Sequence, residues 1–269
     1  MNKKRLLYTS IQTDVGRCRK NNEDNFFFKN IFNEDAKDEF KTRAIEENID
    51  GWLCYGVFDG MGGIENGEVA SKLMAEECNL QLSNLDSDYN YLDVDIKVRE
   101  TFDTANKKIV EASNELGMCG TTATLLMTDG VVFKVYHLGD SRAYLCRNNK
   151  LYQLTEDQTV AELKRNAGFE PSQITEREHH QLTEFVGADR RCGGLRPQES
   201  DWIGFKPDDK VLICSDGLYD MCDNILEIIN SNQDDYVVNG LINSALQAGG
   251  NDNVTCILVS QKIEDTEGE

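Results

Sequence analysis

The chain alternates between two hydrophobic periods. Residues 6–13 read as a first strand, and the aromatic run 26–28 reads as a second, shorter one. A third run, 52–58, is apolar and partly β-branched, and it stops abruptly at Asp59-Gly60-Met61-Gly62-Gly63. The period then lengthens. Val69, Leu73 and Met74 give a modest helical face within 65–82. Val94, Val98, Phe102, Ala105, Ile109, Ala112 and Leu116 step by three or four and make one continuous stripe, with Gly117 placed to end the helix. From residue 121 the period returns to two. Segments 121–128, 131–138, 143–147 and 150–154 read as a meander, turning at Asp129-Gly130 and Asn148-Asn149. A strand at 210–214, short helices at 224–230 and 235–248, and a last strand at 254–261 follow.

The polar intervals carry as much information. Residues 14–25 are turn-rich. Residues 33–50 are charged and lack an apolar face, so they read as a surface excursion. Residues 155–202 are irregular and rich in Arg and Glu, with one helical stretch at 160–167. No repeat or linker divides the chain, and it holds three prolines, so residues 1–263 form one domain followed by an acidic tail, 264–269. With 269 residues and 39% hydrophobic content, a sizeable core is available.

Charge and composition remove several classes of function. Forty-eight acids against 28 bases give a net charge of -20, which excludes nucleic acid and anionic membrane as partners. No run approaches the roughly 20 apolar residues of a membrane span. Met1 to Tyr8 contains a two-residue apolar stretch, too short for a signal peptide, which implies a cytoplasmic chain. The nine cysteines include no CxxC pair and read as reduced core residues. Of the three histidines, His137 lies in a strand pattern and His179 and His180 are adjacent, so they point in different directions and do not suggest zinc.

Asp24, Asp59, Asp140, Asp216 and Asp252 each stand at or beside a predicted strand end, with Gly or Asn as neighbours. Any one of them reads equally well as a turn residue. Five such acids, converging at one edge of layered sheets, would repel one another and raise one another's pKa. A divalent cation relieves that repulsion. An oxygen-only donor set indicates a hard ion, Mg²⁺ or Mn²⁺, and Gly60 lets its own carbonyl turn toward it.

The ordered motifs resemble the metal-dependent protein phosphatase family (PPM, the type 2C serine/threonine phosphatases) in its bacterial form. They are Thr13-Asp14-Val15-Gly16 with Arg19, Asn22, Glu23 and Asp24; Asp59-Gly60-Met61-Gly62-Gly63; Gly120-Thr121-Thr122-Ala123; Gly139-Asp140-Ser141-Arg142; Ser215-Asp216-Gly217 with Asp220; and Asn251-Asp252-Asn253-Val254-Thr255. Each is unspecific alone; in this order, over residues 9 to 260, they are specific. The resemblance implies an α+β fold, a four-layer α-β-β-α sandwich of two antiparallel sheets flanked by helices, in agreement with the strand and helix periods. It implies two Mn²⁺ or Mg²⁺ ions bridged by Asp59. Gly60 would give its carbonyl to one and Asp216 and Asp252 would ligate the other. Glu23 would act through bound water, Asp24 would orient water, and Arg19 would clamp the substrate phosphate. Asp140, Asp216 and Asp220 resemble the family's third metal site.

The implied reaction is direct hydrolysis of phosphoserine and phosphothreonine by water activated between two cations, on phosphorylated proteins that a serine/threonine kinase supplies. Two departures stand out. Animal members carry His after Asp-Gly, where this chain has Met61, which removes that general acid. Segment 155–202 resembles the family's flap, but Gln158 and Glu184 stand where His and a basic residue are frequent. Two other readings stay open. A catalytically silent binding module would lack Asp59, Asp216 or Asp252, and all three are present. A hydrolase of small phosphoesters needs a comparison of substrates.

Overall fold

The computed structural model describes residues 3–47, 49–62, 66–189, 194–231 and 234–265. Two antiparallel sheets face each other. One holds β1 (Lys3–Asp14), β4 (Glu39–Glu47), β9 (Arg142–Arg147), β10 (Lys150–Gln153), β13 (Lys210–Cys214) and β14 (Val254–Asp265), in the order β10-β9-β13-β14-β1-β4. The other is built on β2 (Asp24–Phe28), β3 (Ile31–Phe32), β5 (Leu53–Gly62), β7 (Ala123–Thr128), β8 (Val132–Leu138) and β11 (Gln198–Glu199), in the order β11-β8-β7-β5-β2-β3. The short strands β6 (Cys119–Thr121) and β12 (Ile203–Gly204) add to β5 and β8. Helices α1 (Gly67–Leu82) and α2 (Tyr91–Leu116) accompany the second sheet. Helices α5 (Asp216–Tyr219), α6 (Ile225–Ser231) and α7 (Asp234–Gln247) accompany the first. The short α3 (Val160–Asn166) and α4 (Glu176–His179) belong to the flap-like segment.

Three apolar layers hold these four layers of structure together. Leu7, Ile11, Tyr55, Val57, Val211, Ile213, Ile257 and Val259 meet between the sheets. The opposite faces of the same strands look outward. Cys54 and Phe58 pack under α1 and α2 with Met74, Val98 and Phe102. Leu212, Cys214, Cys256 and Leu258 pack under α6 and α7 with Ile229, Leu241 and Ile242. Strands buried on both faces show unbroken apolar runs rather than strict alternation, which is how 52–58 and 210–214 read in the sequence. Seven of the eight described cysteines are buried, and all eight are unpaired.

The sandwich is the α+β arrangement expected, with differences in detail. The charged excursion at 33–50 contains β4, which pairs with β1 from Leu6 opposite Glu47 to Asp14 opposite Glu39. An edge strand exposes one face, so charged residues suit it and hide its period. The expected meander at 121–154 is divided between sheets: β7 and β8 pair in one, and β9 and β10 in the other. The chain crosses at Gly139, whose φ of +109° suits glycine. The stripe of α2 is buried as far as Ile109, while Leu116 is exposed. Asn90, with Asp93, closes a capping box at its start. Glu264 and Asp265, expected in the tail, continue β14 by pairing with Lys4 and Lys3. Gly63, Glu65, residues 190–193 of the expected flap-like segment and residues 266–269 of the expected tail lie outside the described residues.

Candidate metal centre

Strand pairing brings the acids to one end of the sandwich. Asp24 opens β2 directly opposite Asp59 on β5. Cys214, which ends β13, faces Cys256, two residues beyond the start of β14, and so sets Ser215-Asp216 beside Asp252. The crossing at Gly139 delivers Asp140 to the same end.

The motifs around the acids fix backbone more than they supply chemistry. The Asp59 N–H donates to the Thr122 hydroxyl at 2.9 Å, and its carbonyl accepts from the Thr122 N–H at 2.9 Å and the Thr121 hydroxyl at 3.0 Å. Thr122 in turn shares a hydrogen bond of 2.7 Å with Ser141. Arg142 forks onto Asp157 at 2.9 and 2.6 Å and lies 3.6 Å over the Tyr219 ring, whose hydroxyl donates to the Asp140 carbonyl. Asn253 accepts the Glu23 N–H at 2.8 Å and donates to the Val15 and Asn21 carbonyls, so the last strand holds the first turn. A Cβ on Gly60 would lie 2.3 Å from the Gly67 carbonyl oxygen and 2.5 Å from that of Glu23. That approach brings the start of α1 against Glu23, whose carbonyl accepts from Gly60 and Ser71.

Arg19, Glu23, Asp59, Gly60, Asp140, Asp216 and Asp252 line one open basin of about 250 Å³, with Met61, Thr122, His180 and Leu182 on its walls. Asp24 is buried beneath it and accepts from Ser215 at 2.7 Å. Asp220 lies outside this basin, in a neighbouring cavity of about 500 Å³ with Asp216, Glu176, His179 and His180. Arg19 is paired with Asp252 at 2.6 Å, both partly exposed.

Electrostatics mark these groups out. Burial, then the neighbouring Asp24, Asp216, Asp140 and Asp252, pushes the Asp59 carboxyl well above the ordinary carboxylate range. Burial and Asp216 do the same to Asp140, and they push Asp220 up to about 6. Asp24 is pushed up to about 7, chiefly by burial and against the hydrogen bonds it accepts. Asp252 and Glu23 are raised as well, by burial first and then by Asp216 and Glu68 respectively. Asp216 Oδ1 is buried without a hydrogen-bond partner. Carboxylates converging on one basin and an orphaned buried acceptor suit hard divalent cations such as Mn²⁺ or Mg²⁺.

A family model described as Protein phosphatase 2C matches residues 11–165 of this chain. The chain belongs to the protein phosphatase 2C family. It is 29% identical to the serine/threonine phosphatase stp of Listeria monocytogenes over 96% of this chain and 97% of that one. It is 30% identical to the serine/threonine protein phosphatase PstP of Mycobacterium tuberculosis over 94% of this chain and 45% of that protein. The structure of the PstP catalytic domain in complex with two manganese ions superposes with a TM-score of 0.74 at 27% identity, covering 96% of this chain and 99% of that one. The serine/threonine phosphatase of S. agalactiae, 24% identical, superposes at 0.78 over 94% of this chain and 98% of that one and has the same fold.

Within this protein phosphatase 2C chain, two contributions escaped sequence reasoning. Asn253 is a scaffold residue for Glu23, and its place inside the Asn251-Asp252-Asn253 motif was the available signal. His180 turns toward Asp216 and Asp220 while His179 turns to Arg165, as adjacent residues do, but nothing in the sequence indicated which would face the acids.

Proposed function

We infer that this chain is a metal-dependent serine/threonine protein phosphatase that hydrolyses phosphoserine and phosphothreonine in proteins. The observation that carries the reading is the convergence of Glu23, Asp59, Asp216 and Asp252 with the Arg19 guanidinium on one open basin. Acids alone would repel a phosphate dianion. Neutralised by cations, they leave Arg19 to recognise it.

Family likeness and this placement support the following roles. Asp59, with the Gly60 carbonyl, Asp216 and Asp252, would hold two Mn²⁺ or Mg²⁺ ions, Asp59 serving both. When bound, the ions supply an acidified water and neutralise the charge that develops on the phosphoryl group. Glu23 holds water at the rim, where Asn253 and α1 fix its backbone. Asp24, gripped by Ser215 beneath Asp59, orients water rather than binding substrate. Arg19 leaves Asp252 and forks onto the phosphate oxygens. Asp140, Asp216 and Asp220 would hold a further ion. Met61 on the basin wall offers no proton, so the departing serine or threonine oxygen takes one from water in the open basin.

Residues 1–263 act as one catalytic domain, with 155–202 as a substrate-facing flap and 264–269 as an acidic tail. The phosphoproteins it acts on are products of a serine/threonine kinase in the cytoplasm. Among the described residues no helix is long and apolar enough to cross a membrane, and the charge of -20 disfavours nucleic acid and anionic lipid. The deciding assay compares a phosphothreonine peptide with a panel of small phosphoesters, with manganese and with chelator. Hydrolysis that survives chelation, or that prefers the small esters, overturns the reading.

A further inference from the structure

His180 takes no part in the hydrolytic scheme above, yet it faces the acids. It follows α4 in the flap, and its Nδ1 lies 3.8 Å from Asp216 Oδ2 and 3.9 Å from Asp220 Oδ2. Both distances exceed the roughly 2.7–3.2 Å of a direct hydrogen bond. Among the described residues, these three are the set of metal-ligating side chains whose ligand atoms all lie within 4.8 Å of one another. Atoms bound to one ion at about 2.1 Å are separated by roughly 3–4.2 Å, according to whether they are adjacent or opposite. The two distances from the His180 nitrogen fall in that range, and the two carboxylate oxygens lie within 4.8 Å of each other, so the three are placed to share one ion. The orphaned, buried Oδ1 of Asp216 adds an unmet acceptor, and the 500 Å³ cavity beside it gives an ion access.

The flap's own bonds present the imidazole. The Val160 N–H donates to the Gln181 carbonyl at 2.9 Å, the Thr183 N–H donates to Gln158 at 2.8 Å, and Lys164 pairs with Glu178 at 2.6 Å. His180 is therefore held between a side-chain ion pair before it and backbone hydrogen bonds after it, and is aimed at Asp216 and Asp220.

We propose that His180 is a nitrogen ligand, with Asp216 and Asp220, of a divalent cation that pins the flap to the catalytic edge. The proposal rests on the metal-dependent reading above, since Asp216 and Asp220 are there assigned to a further ion, and His180 adds a nitrogen ligand to that same ion. It has a selectivity consequence. Mg²⁺ demands oxygen donors and keeps several waters, whereas a transition ion accepts an imidazole nitrogen more readily, so the His180 nitrogen shifts this site away from Mg²⁺ and toward Mn²⁺. The competing arrangement is a plain ion pair, with a protonated His180 resting between two carboxylates and no ion.

The test uses the full chain, stripped of metal and titrated with Mn²⁺ in nitrogen-free buffer, and reads ¹⁴N coupling to Mn²⁺ by pulsed electron paramagnetic resonance. The chain has three histidines, so the signal is assignable. Directly coordinated nitrogen is expected in wild type and in His179→Ala, and its loss in His180→Ala. Calorimetry should show the affinity of one Mn²⁺ site falling about tenfold or more in His180→Ala, with a smaller change for Mg²⁺. The His180 side chain is half exposed, so its removal leaves the cores intact. Wild-type Mn²⁺ without coupled nitrogen, or coupling unchanged in His180→Ala, overturns the proposal and favours the ion pair. Failure of wild type to hydrolyse phosphopeptide while coupling is present would instead overturn the functional reading and leave His180 as a ligand.

Discussion

Asp59 is gripped through its backbone, on both its N–H and its carbonyl, by Thr121 and Thr122. Its carboxylate is free to serve the basin, so Asp59→Asn should keep the fold while losing the charge that bridges two cations. Turnover of a phosphothreonine peptide should fall about a thousandfold or more, with an unchanged far-ultraviolet circular dichroism spectrum. Retained turnover would remove the two-metal account. Arg19 makes a different point. Its partner Asp252 is itself proposed to hold a cation, so the guanidinium competes with metal for that carboxylate. Arg19→Ala should raise KM about tenfold or more, the effect of losing a charged hydrogen bond, while the manganese needed for half-activity does not rise. Arg17 meets Gly250 through its backbone N–H at 2.7 Å, so Arg17→Ala should be the milder change. The opposite ranking in steady-state kinetics would place the phosphate clamp at Arg17.

The β5–α1 junction shows how an element, rather than a side chain, shapes the centre. A Cβ on Gly67 would come within 2.7 Å of Gly60 and 2.9 Å of the Glu23 carboxyl carbon. Gly67→Ala should therefore destabilise by about 1–3 kcal/mol, as overpacking does, and weaken manganese binding by shifting Glu23. Thermal melts with and without manganese would show both effects; a melt unaltered in either condition would mean that α1 simply slides. Legibility in the sequence followed the same physics. Runs such as 210–214 could be read because burial on both faces leaves them uniformly apolar. Strand β4 could not, because its partner β1 supplies the pairing and its charged face meets water. The divided meander was hidden because turn chemistry at Gly139 is local, whereas sheet choice depends on packing. The acids of the centre were visible through their Gly and Asn neighbours. His180 was not, since its direction is set by the flap's contacts with Gln158 and Val160.

On the scale of the whole molecule, the centre concentrates a charge that the chain carries everywhere. Asp24 and Asp220 bind protons in the fold up to about pH 7 and 6, against an ordinary 3.8, and Asp59 and Asp140 shift the same way. Raised acids make the fold hold protons that the unfolded chain has released. Metal-free stability from this cluster is therefore full at low pH and is lost as pH rises through the folded values. His137, lowered to about 4 by burial, acts with the opposite sign, since acid favours its unfolded, charged form. That contribution is common to both samples and cancels in a comparison. The gain in Tm on adding manganese should thus grow from about pH 5.5 to pH 8. Differential scanning fluorimetry with manganese and with chelator at each pH checks this, and a gain independent of pH would show that the acids do not share a cation-relieved repulsion.

The grip of Asn253 on the first turn has a consequence for how the molecule comes into being. β14 lies between β1 and β13, and Asn253 just before it holds Val15, Asn21 and Glu23. A ribosome delivers β14 after every other described element. Until then the β1 and β13 edges lack their shared neighbour, and the Glu23 turn lacks its anchor. A nascent chain is thus barred from hydrolysis until β14 has emerged, and the edges of β1 and β13 stay exposed until then.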